Sequence, residues 1–345
     1  MAYRVVQWTT GNVGRRSVIA AVERSDMEIV GGYAWSPDKV GVDLGVLAGI
    51  DPIGVAATDD VEALLGLRPD CVIYNPLWPD VDELVRILSA GIDVVATAGF
   101  ITGHALGEGR DRIAAACEAG GSTIFGSGMN PGFANLVALV STGICDRVDS
   151  ITVLESVDST GYDSPDTEMS VGYARPIDDP GLPQATREAT AVFGDAVLMM
   201  ADALHVDLDE VRFEADYART THALDLGSWT IPADCVAGVE ASWQGWVDGR
   251  KFIDLRVRWR KGRTLDPDWP LEHGYVVEID GRPKVRTKVE ITPPDDFVAT
   301  SFADYMVLGM IITAMPAVDA VPAVCAAAPG IVTYADLPLV TARPA

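Results

Sequence analysis

Histidine and cysteine are both scarce in this 345-residue chain, which has 4 histidines and 5 cysteines. The thiols, Cys71, Cys117, Cys145, Cys235 and Cys325, are odd in number and far apart, with no C-x-x-C. That spacing suggests neither a disulfide framework nor a zinc site, so no metal centre is expected and the thiols read as buried and reduced. Positive charge is short as well: 26 Lys and Arg stand against 50 Asp and Glu, a net charge of -24. Such a surface repels nucleic acid and anionic membrane, and neither is an expected partner. The longest apolar run, around Met306 to Met315, falls short of the roughly 18 residues of a membrane span and contains Gly309. No internal repeat or low-complexity segment stands out. The opening MAYRVVQW enters a strand with no charged leader and apolar stretch before it, the pattern expected of a cytoplasmic protein.

What the chain does have is VVQWTTGNVGRRSV at residues 5 to 18. Val5 and Val6 fit a buried strand, while Val13, Ser17, Val18, Ala21 and Val22 have the spacing of a helix face. The turn between them carries T-x-G-x-x-G, with Thr9 where a dinucleotide fingerprint has its first glycine. Gly11 lets backbone approach a pyrophosphate, and Gly14 lets the helix pack on the strand. Strand and helix then alternate through residue 145, which predicts a parallel sheet covered on both faces. Its loops at 75 to 77, 97 to 104 and 128 to 132 follow strand ends, the edge at which such sheets bind ligands.

From Asp149 the pattern changes. ITVLESVDS reads as a strand, residues 159 to 186 as a long polar loop or lid, and 187 to 205 as helix. Asp248-Gly249 and Asp280-Gly281 each read as a hairpin turn between alternating runs. Ile253, Leu255, Val257 and Trp259 alternate with Asp254, Arg256, Arg258 and Arg260, giving one apolar and one charged face. Arg286 and Lys288 extend the charged face, with Glu278 and Glu290 among them. The apolar face needs the chain's own helices or a second subunit, and a homodimer through this domain is expected. A last helix from Phe302 is predicted to stop at Pro316. The expected fold is α/β: a Rossmann doubly wound parallel sheet over 1–145, an α+β domain with a largely antiparallel sheet over 146–300, and a C-terminal helix and tail, 301–345, returning to the first domain.

TTGNVGRRSV, the loop GSGMNPGF, and VAGVEASWQGWVDGR with VPAVCAAAPGI together resemble the dihydrodipicolinate-reductase-like superfamily, in its 2,4-diaminopentanoate dehydrogenase and native amine dehydrogenase branch. The likeness covers nearly the whole chain. It implies NAD(P)H-dependent reduction of a C=N or C=O group in a small or medium substrate, with the nicotinamide over the loops after the fourth, fifth and sixth strands. Two features depart from the pattern. The His-His pair and Lys of the dihydrodipicolinate reductases are missing from the second domain. The loop after the fifth strand, TAGFITGHAL, lacks the glutamate by which amine dehydrogenases hold ammonia and the iminium. A nucleotide-binding sensor without turnover therefore stays open as the alternative.

For the cofactor, the candidate residues are Thr9, Thr10, Gly11, Asn12, Val13, Gly14 and Arg15 at the turn, with Thr97 and Ala98 after the fifth strand. The second strand ends in AWSPDK, without the acid that grips an adenosine ribose. NADPH is thus expected over NADH, its 2′-phosphate held by Ser36, Lys39 and Arg15, although Lys39 reads equally as a solvated charge and Asp38 is an unfavourable neighbour. Asn75-Pro76 and Asn130-Pro131 are either loop punctuation or, through Asn75 and Asn130, amides that hold the nicotinamide carboxamide or the substrate. His104 and Tyr173 are the candidate proton donors as hydride reaches carbon, although a lone histidine more often reads as structural or surface and Tyr173 sits in the polar lid-like segment. Tyr162 and Glu168 are read as substrate-pocket residues or as solvated loop polarity. His205 and His273 read as surface groups.

Overall fold

The computed structural model describes residues 2–162 and 164–342. Two compact units divide it: 1–133 with 309–345, and 134–308.

In the first unit, strands β1 (Tyr3–Trp8), β2 (Met27–Tyr33), β3 (Ala57–Thr58), β4 (Cys71–Tyr74), β5 (Asp93–Ala96) and β6 (Thr123–Gly126) join the last strand of the chain, Gly330–Val332. The order runs from that last strand through β6, β5, β4, β1 and β2 to β3, and every pairing is parallel. Side chains alternate across a strand, so each one feeds two cores. The short helices α2 (Leu44–Ala48) and α3 (Val61–Gly66) precede and follow β3 in the chain, and Val6, Val72, Val94 and Ile124 pack with helices α4 (Val81–Ser89) and α5 (Glu108–Gly120). Val5, Ile73, Val95 and Phe125 pack on the other side, with Ala21 of α1 (Asn12–Glu23) and with the chain's final helix, Met306–Val324. This is the doubly wound sheet expected from the alternation.

The final helix corrects one expectation: it runs straight through Pro316 and Pro322. Each internal proline costs about 3 kcal/mol of helix propensity. Ala317, Val318, Ala320, Val321 and Val324 are all fully buried in the first unit's core, and that packing outweighs the lost hydrogen bonds. At 19 residues the helix is long and apolar enough to cross a membrane. Its second half is instead occupied by this core, and its Asp319 pairs with Arg24 at 2.5 Å.

The second unit starts with α6 (Ala134–Thr142), which lies against its sheet. Strands β7 (Arg147–Asp158), β8 (Glu210–Thr220), β11 (Val236–Val247), β12 (Arg250–Arg260), β13 (Leu265–Asp266), β14 (Gly274–Arg282) and β15 (Val285–Val289) form a seven-stranded sheet, while β9 (Leu224–Asp225) and β10 (Thr230–Ile231) pair separately. All its pairings are antiparallel except β12 with β7. The helices α6, α8 (Leu182–Ala189) and α9 (Ala191–Ala203) cover the apolar face. Trp243 donates from that face to Thr190, between α8 and α9, at 3.0 Å. The chain's own helices thus cover the apolar face, one of the two partners expected for it.

Two local readings also change. The polar stretch after β7 contains α7 (Pro165–Ser170), and α8 begins at Leu182, inside the expected loop. Asp248-Gly249 does join β11 to β12. Asp280 and Gly281, however, stay in β14, paired with Ser150 and Val148 of β7. A Cβ on Gly281 would collide with the Arg147 carbonyl, so this glycine serves strand approach and not a two-residue turn.

Candidate active site

The β1–α1 turn is built as a ligand cradle. Thr9 adopts a positive φ of 68°, the conformation that glycine normally supplies at this point. It is held there by hydrogen bonds from its N–H to the Tyr33 carbonyl, 3.0 Å, and from the Gln7 amide to its own carbonyl, 2.8 Å. Gly14 has no room for a side chain, because a Cβ would run into that same Thr9 carbonyl. Gly11 differs. Its φ is -70° and a Cβ there would meet nothing within 4 Å. Neither backbone conformation nor packing within the chain asks for glycine at position 11.

Gly11 caps α1, whose first turn holds no acid, and the helix bonding begins with Arg15 N–H to the Gly11 carbonyl at 2.9 Å. The N–H groups of Asn12, Val13 and Gly14 therefore have no acceptor further up the helix. The helix dipole adds positive potential at this end. Arg15 is exposed. Burial lowers the neighbouring Arg16 below the usual guanidinium value, and the Arg15 charge lowers it further. The hydroxyls of Thr9 and Thr10 are buried and have no hydrogen-bond partner among the described residues. Oriented donors, positive charge and uncommitted buried hydroxyls around an open glycine fit a dinucleotide's phosphates.

An open cleft of about 420 Å³ lies over this turn, at the point where strand order reverses between β1 and β4. Of the predicted residues, Thr9, Thr10, Gly11, Ser36, Lys39, Asn75 and Pro76 line it. Ser36 donates to Asp38, and that hydrogen bond holds the Asp38 carboxyl below its usual range. Asn75 is spent on the fold: its Oδ1 accepts from Gln7 Nε2 at 2.8 Å and its Nδ2 donates to Thr97 Oγ1 at 2.8 Å. The ends of β1, β4 and β5 are thereby tied together. Ala98 is fully buried, so its side chain offers nothing to a ligand. Asn130 is half-buried in the loop Met129–Phe133.

Sequence reasoning missed Gln7, whose signal was a polar residue inside an apolar strand. It also passed over Trp35 and Leu77, which line the cleft and are 72% and 53% exposed. Large apolar side chains left in solvent at a ligand edge are themselves a sign of a binding surface.

His104 stands exposed on a single helical turn, His104–Leu106, after a buried stretch that includes Phe100, Ile101 and Thr102. Its Nδ1 and the Thr102 hydroxyl are 2.7 Å apart, which orients the ring. Tyr173 lies in the second unit's core, fully buried. Burial drives its phenol well above the ordinary value, so it is a weaker acid than a free tyrosine and does not reach solvent. Glu168 is buried as well, in an ion pair with the fully buried Lys261 at 2.6 Å. Lys261 also donates to the carbonyls of Ser159, 2.6 Å, and Tyr162, 3.1 Å. Glu168 and Tyr162 thus belong to an internal clamp that pins Ser159, Tyr162 and Glu168 to the end of β12. Lys261 was invisible in the sequence, lying in the charged run RWRKGR.

An open parallel sheet with a glycine turn at its switch point, joined to a mixed-sheet unit, defines a two-unit α/β protein of the doubly wound class. The family model of the 2,4-diaminopentanoate dehydrogenase C-terminal domain matches residues 133–344. An amine dehydrogenase from Streptomyces virginiae is 33% identical over 308 residues, 83% of this chain and 84% of its own. A 4-hydroxy-tetrahydrodipicolinate reductase from Synechococcus elongatus is 33% identical over 103 residues, 28% of this chain and 38% of its own. The solved amine dehydrogenase from Mycobacterium smegmatis shares the fold with a TM-score of 0.81 at 19% identity, covering 99% of this chain and 98% of that one. The chain belongs to the amine-dehydrogenase-like family of NAD(P)-dependent dehydrogenases.

Proposed function

We propose that this protein is an NADPH-preferring reductase of a C=N or C=O group in a small or medium substrate. Gly11 carries the reading: a glycine that neither φ nor packing requires, at an open helix start, is explained by a ligand lying against its backbone. The N–H groups of residues 12–14 and the Thr9 and Thr10 hydroxyls would hold the pyrophosphate, and Lys39 with Arg15 a 2′-phosphate. The cofactor, when bound, supplies the hydride. His104, its ring oriented by Thr102, supplies the proton to the nitrogen or oxygen that hydride addition leaves charged.

Gly11→Val tests this directly. With open space at its Cβ the variant should fold as the parent does and lose both NADPH and NADH; unchanged binding would sink the assignment. NADPH oxidation with ketones and aldehydes, with and without ammonia, separates an enzyme from a nucleotide sensor. The loop 97–106, which contains no carboxylate, keeps the sensor reading in play. We further propose a homodimer through the second unit, which predicts twice the chain mass in light scattering.

A further inference from the structure

Trp8, at the end of β1, and Tyr74, at the end of β4, are fully buried, yet each carries a polar group that needs a partner. Both find it in Glu83 of α4. The Trp8 indole N–H donates to Glu83 Oε2 at 3.2 Å, and the Tyr74 hydroxyl donates to the same oxygen at 2.9 Å. The Tyr74 hydroxyl accepts in turn from the Asp80 N–H at 3.1 Å, and Asp80 Oδ1 accepts from the Glu83 N–H at 3.0 Å. The carboxylate is thus fixed from the inside through one oxygen. Its other oxygen, Oε1, accepts from no described residue and is not buried.

Glu83 lines the cleft over the β1–α1 turn. Tyr33, stacked on Trp8 at 4.4 Å, lines it too; burial first, and then the Glu83 charge, raise its hydroxyl above the ordinary value. Among the described residues of the cleft wall, Lys39 and Glu83 alone carry charge, and they stand on opposite sides of β1, one after β2 and the other after β4. A carboxylate only accepts hydrogen bonds, and it repels phosphate. In a cleft that takes a dinucleotide, Glu83 is therefore explained by a donor on the neutral part of the ligand. With the 2′-phosphate on the Lys39 side, its ribose is the wrong neighbour for an acid, which leaves the base. Trp35 and Leu77, exposed at the cleft, offer apolar surface to the faces of a base. The edge of adenine carries one exocyclic donor, the 6-amino group.

We infer that Glu83 is the base-specificity residue of the cleft: its Oε1 accepts from the 6-amino group of adenine and rejects a base that carries oxygen at that position. This deepens the dinucleotide reading above and rests on it. Glu83 takes no part in hydride or proton transfer.

The test titrates the full chain, by fluorescence, with NADPH, NADH and reduced nicotinamide hypoxanthine dinucleotide phosphate, in which an oxygen replaces the 6-amino group. The parent should bind NADPH about tenfold or more tighter than the hypoxanthine analogue, the scale of a charge-assisted hydrogen bond exchanged for two facing acceptors. Glu83→Gln should reverse that order. An indole can only donate, so the new amide keeps its oxygen on Trp8 and turns its NH2 to the cleft, where it suits an oxygen and not an amino group. Equal binding of the two bases by the parent, a comparison that needs no variant, overturns the inference. So does an unchanged order in a folded Glu83→Gln, or a shifted ratio of NADPH to NADH affinity there, which would put Glu83 on the ribose. The two readings fail differently. A parent that binds none of the three nucleotides removes the dinucleotide reading and this inference with it, whereas NADPH binding without discrimination between the bases removes the Glu83 inference alone.

Discussion

The Thr9 carbonyl oxygen occupies the space that a Cβ on Gly14 would need. One residue is strained into a positive φ and the other is stripped of its side chain, both to make a single turn. Gly14→Ala should therefore cost stability by the overpacking scale of about 1 to 3 kcal/mol, read as a shifted urea midpoint, with nucleotide binding weakened as the turn deforms.

Thr9→Gly should act in the opposite direction. A β-branched residue in the left-handed region carries about 1 to 2 kcal/mol of strain that glycine does not. Part of that gain is offset by the entropy of glycine in the unfolded chain. The expected result is a small net stabilisation in urea melts, and a clear loss of stability would show that the Thr9 side chain contributes contacts that outweigh its φ.

Cofactor preference should turn on Lys39 and Asp38, which lie side by side after β2. Lys39→Ala should weaken NADPH by about 1.5 to 3 kcal/mol and NADH little, since only the former offers a second phosphate. Asp38→Asn removes a carboxylate that its hydrogen bond from Ser36 keeps ionised, and should strengthen NADPH selectively. Parallel changes for both cofactors in fluorescence titrations would rule out a 2′-phosphate at this position.

The Lys261–Glu168 pair should behave as a buried ion pair. Lys261→Met leaves the Glu168 carboxylate in the interior without its ammonium and should cost about 3 to 5 kcal/mol. Adding Glu168→Leu should restore much of that loss in denaturant melts. Non-recovery in the double variant would mean that the Lys261 bonds to Ser159 and Tyr162 matter more than the charge pair. Faster proteolysis within 159–168 would then be the accompanying sign.

Acid should weaken the second unit through Asp254. Burial alone would raise this carboxyl, but hydrogen bonds from Lys251 and Ser242 and the Arg256 charge outweigh it and hold the carboxyl below its ordinary value. A folded pKa below the unfolded one, about 3.9, gives stability that is complete above the unfolded value and is lost as pH falls through the folded one. Asp254→Asn should be less stable than the parent at neutral pH and should show a smaller further fall in Tm on acidification.

Much of this molecule was legible from local pattern alone. Ile253, Leu255 and Val257 announce the helix-covered face of β12 because side chains alternate strictly along a strand, while the burial of Asp254 on the opposite face does not show in the pattern. Gly11 and Gly14 declare a turn three residues wide whatever surrounds them. The tertiary structure decided the rest, since it depends on groups distant in sequence meeting in space. Pro316 stops a helix by local rules, yet the final helix passes through it because the buried residues beyond it pack into the first unit's core. Tyr173 and Glu168 read as polar loop residues, but Lys261, some 90 residues further on, supplies an ammonium that draws Glu168 and the segment around it inside. Asn75 reads as a free amide until Gln7 and Thr97, from two other strands, take both of its ends.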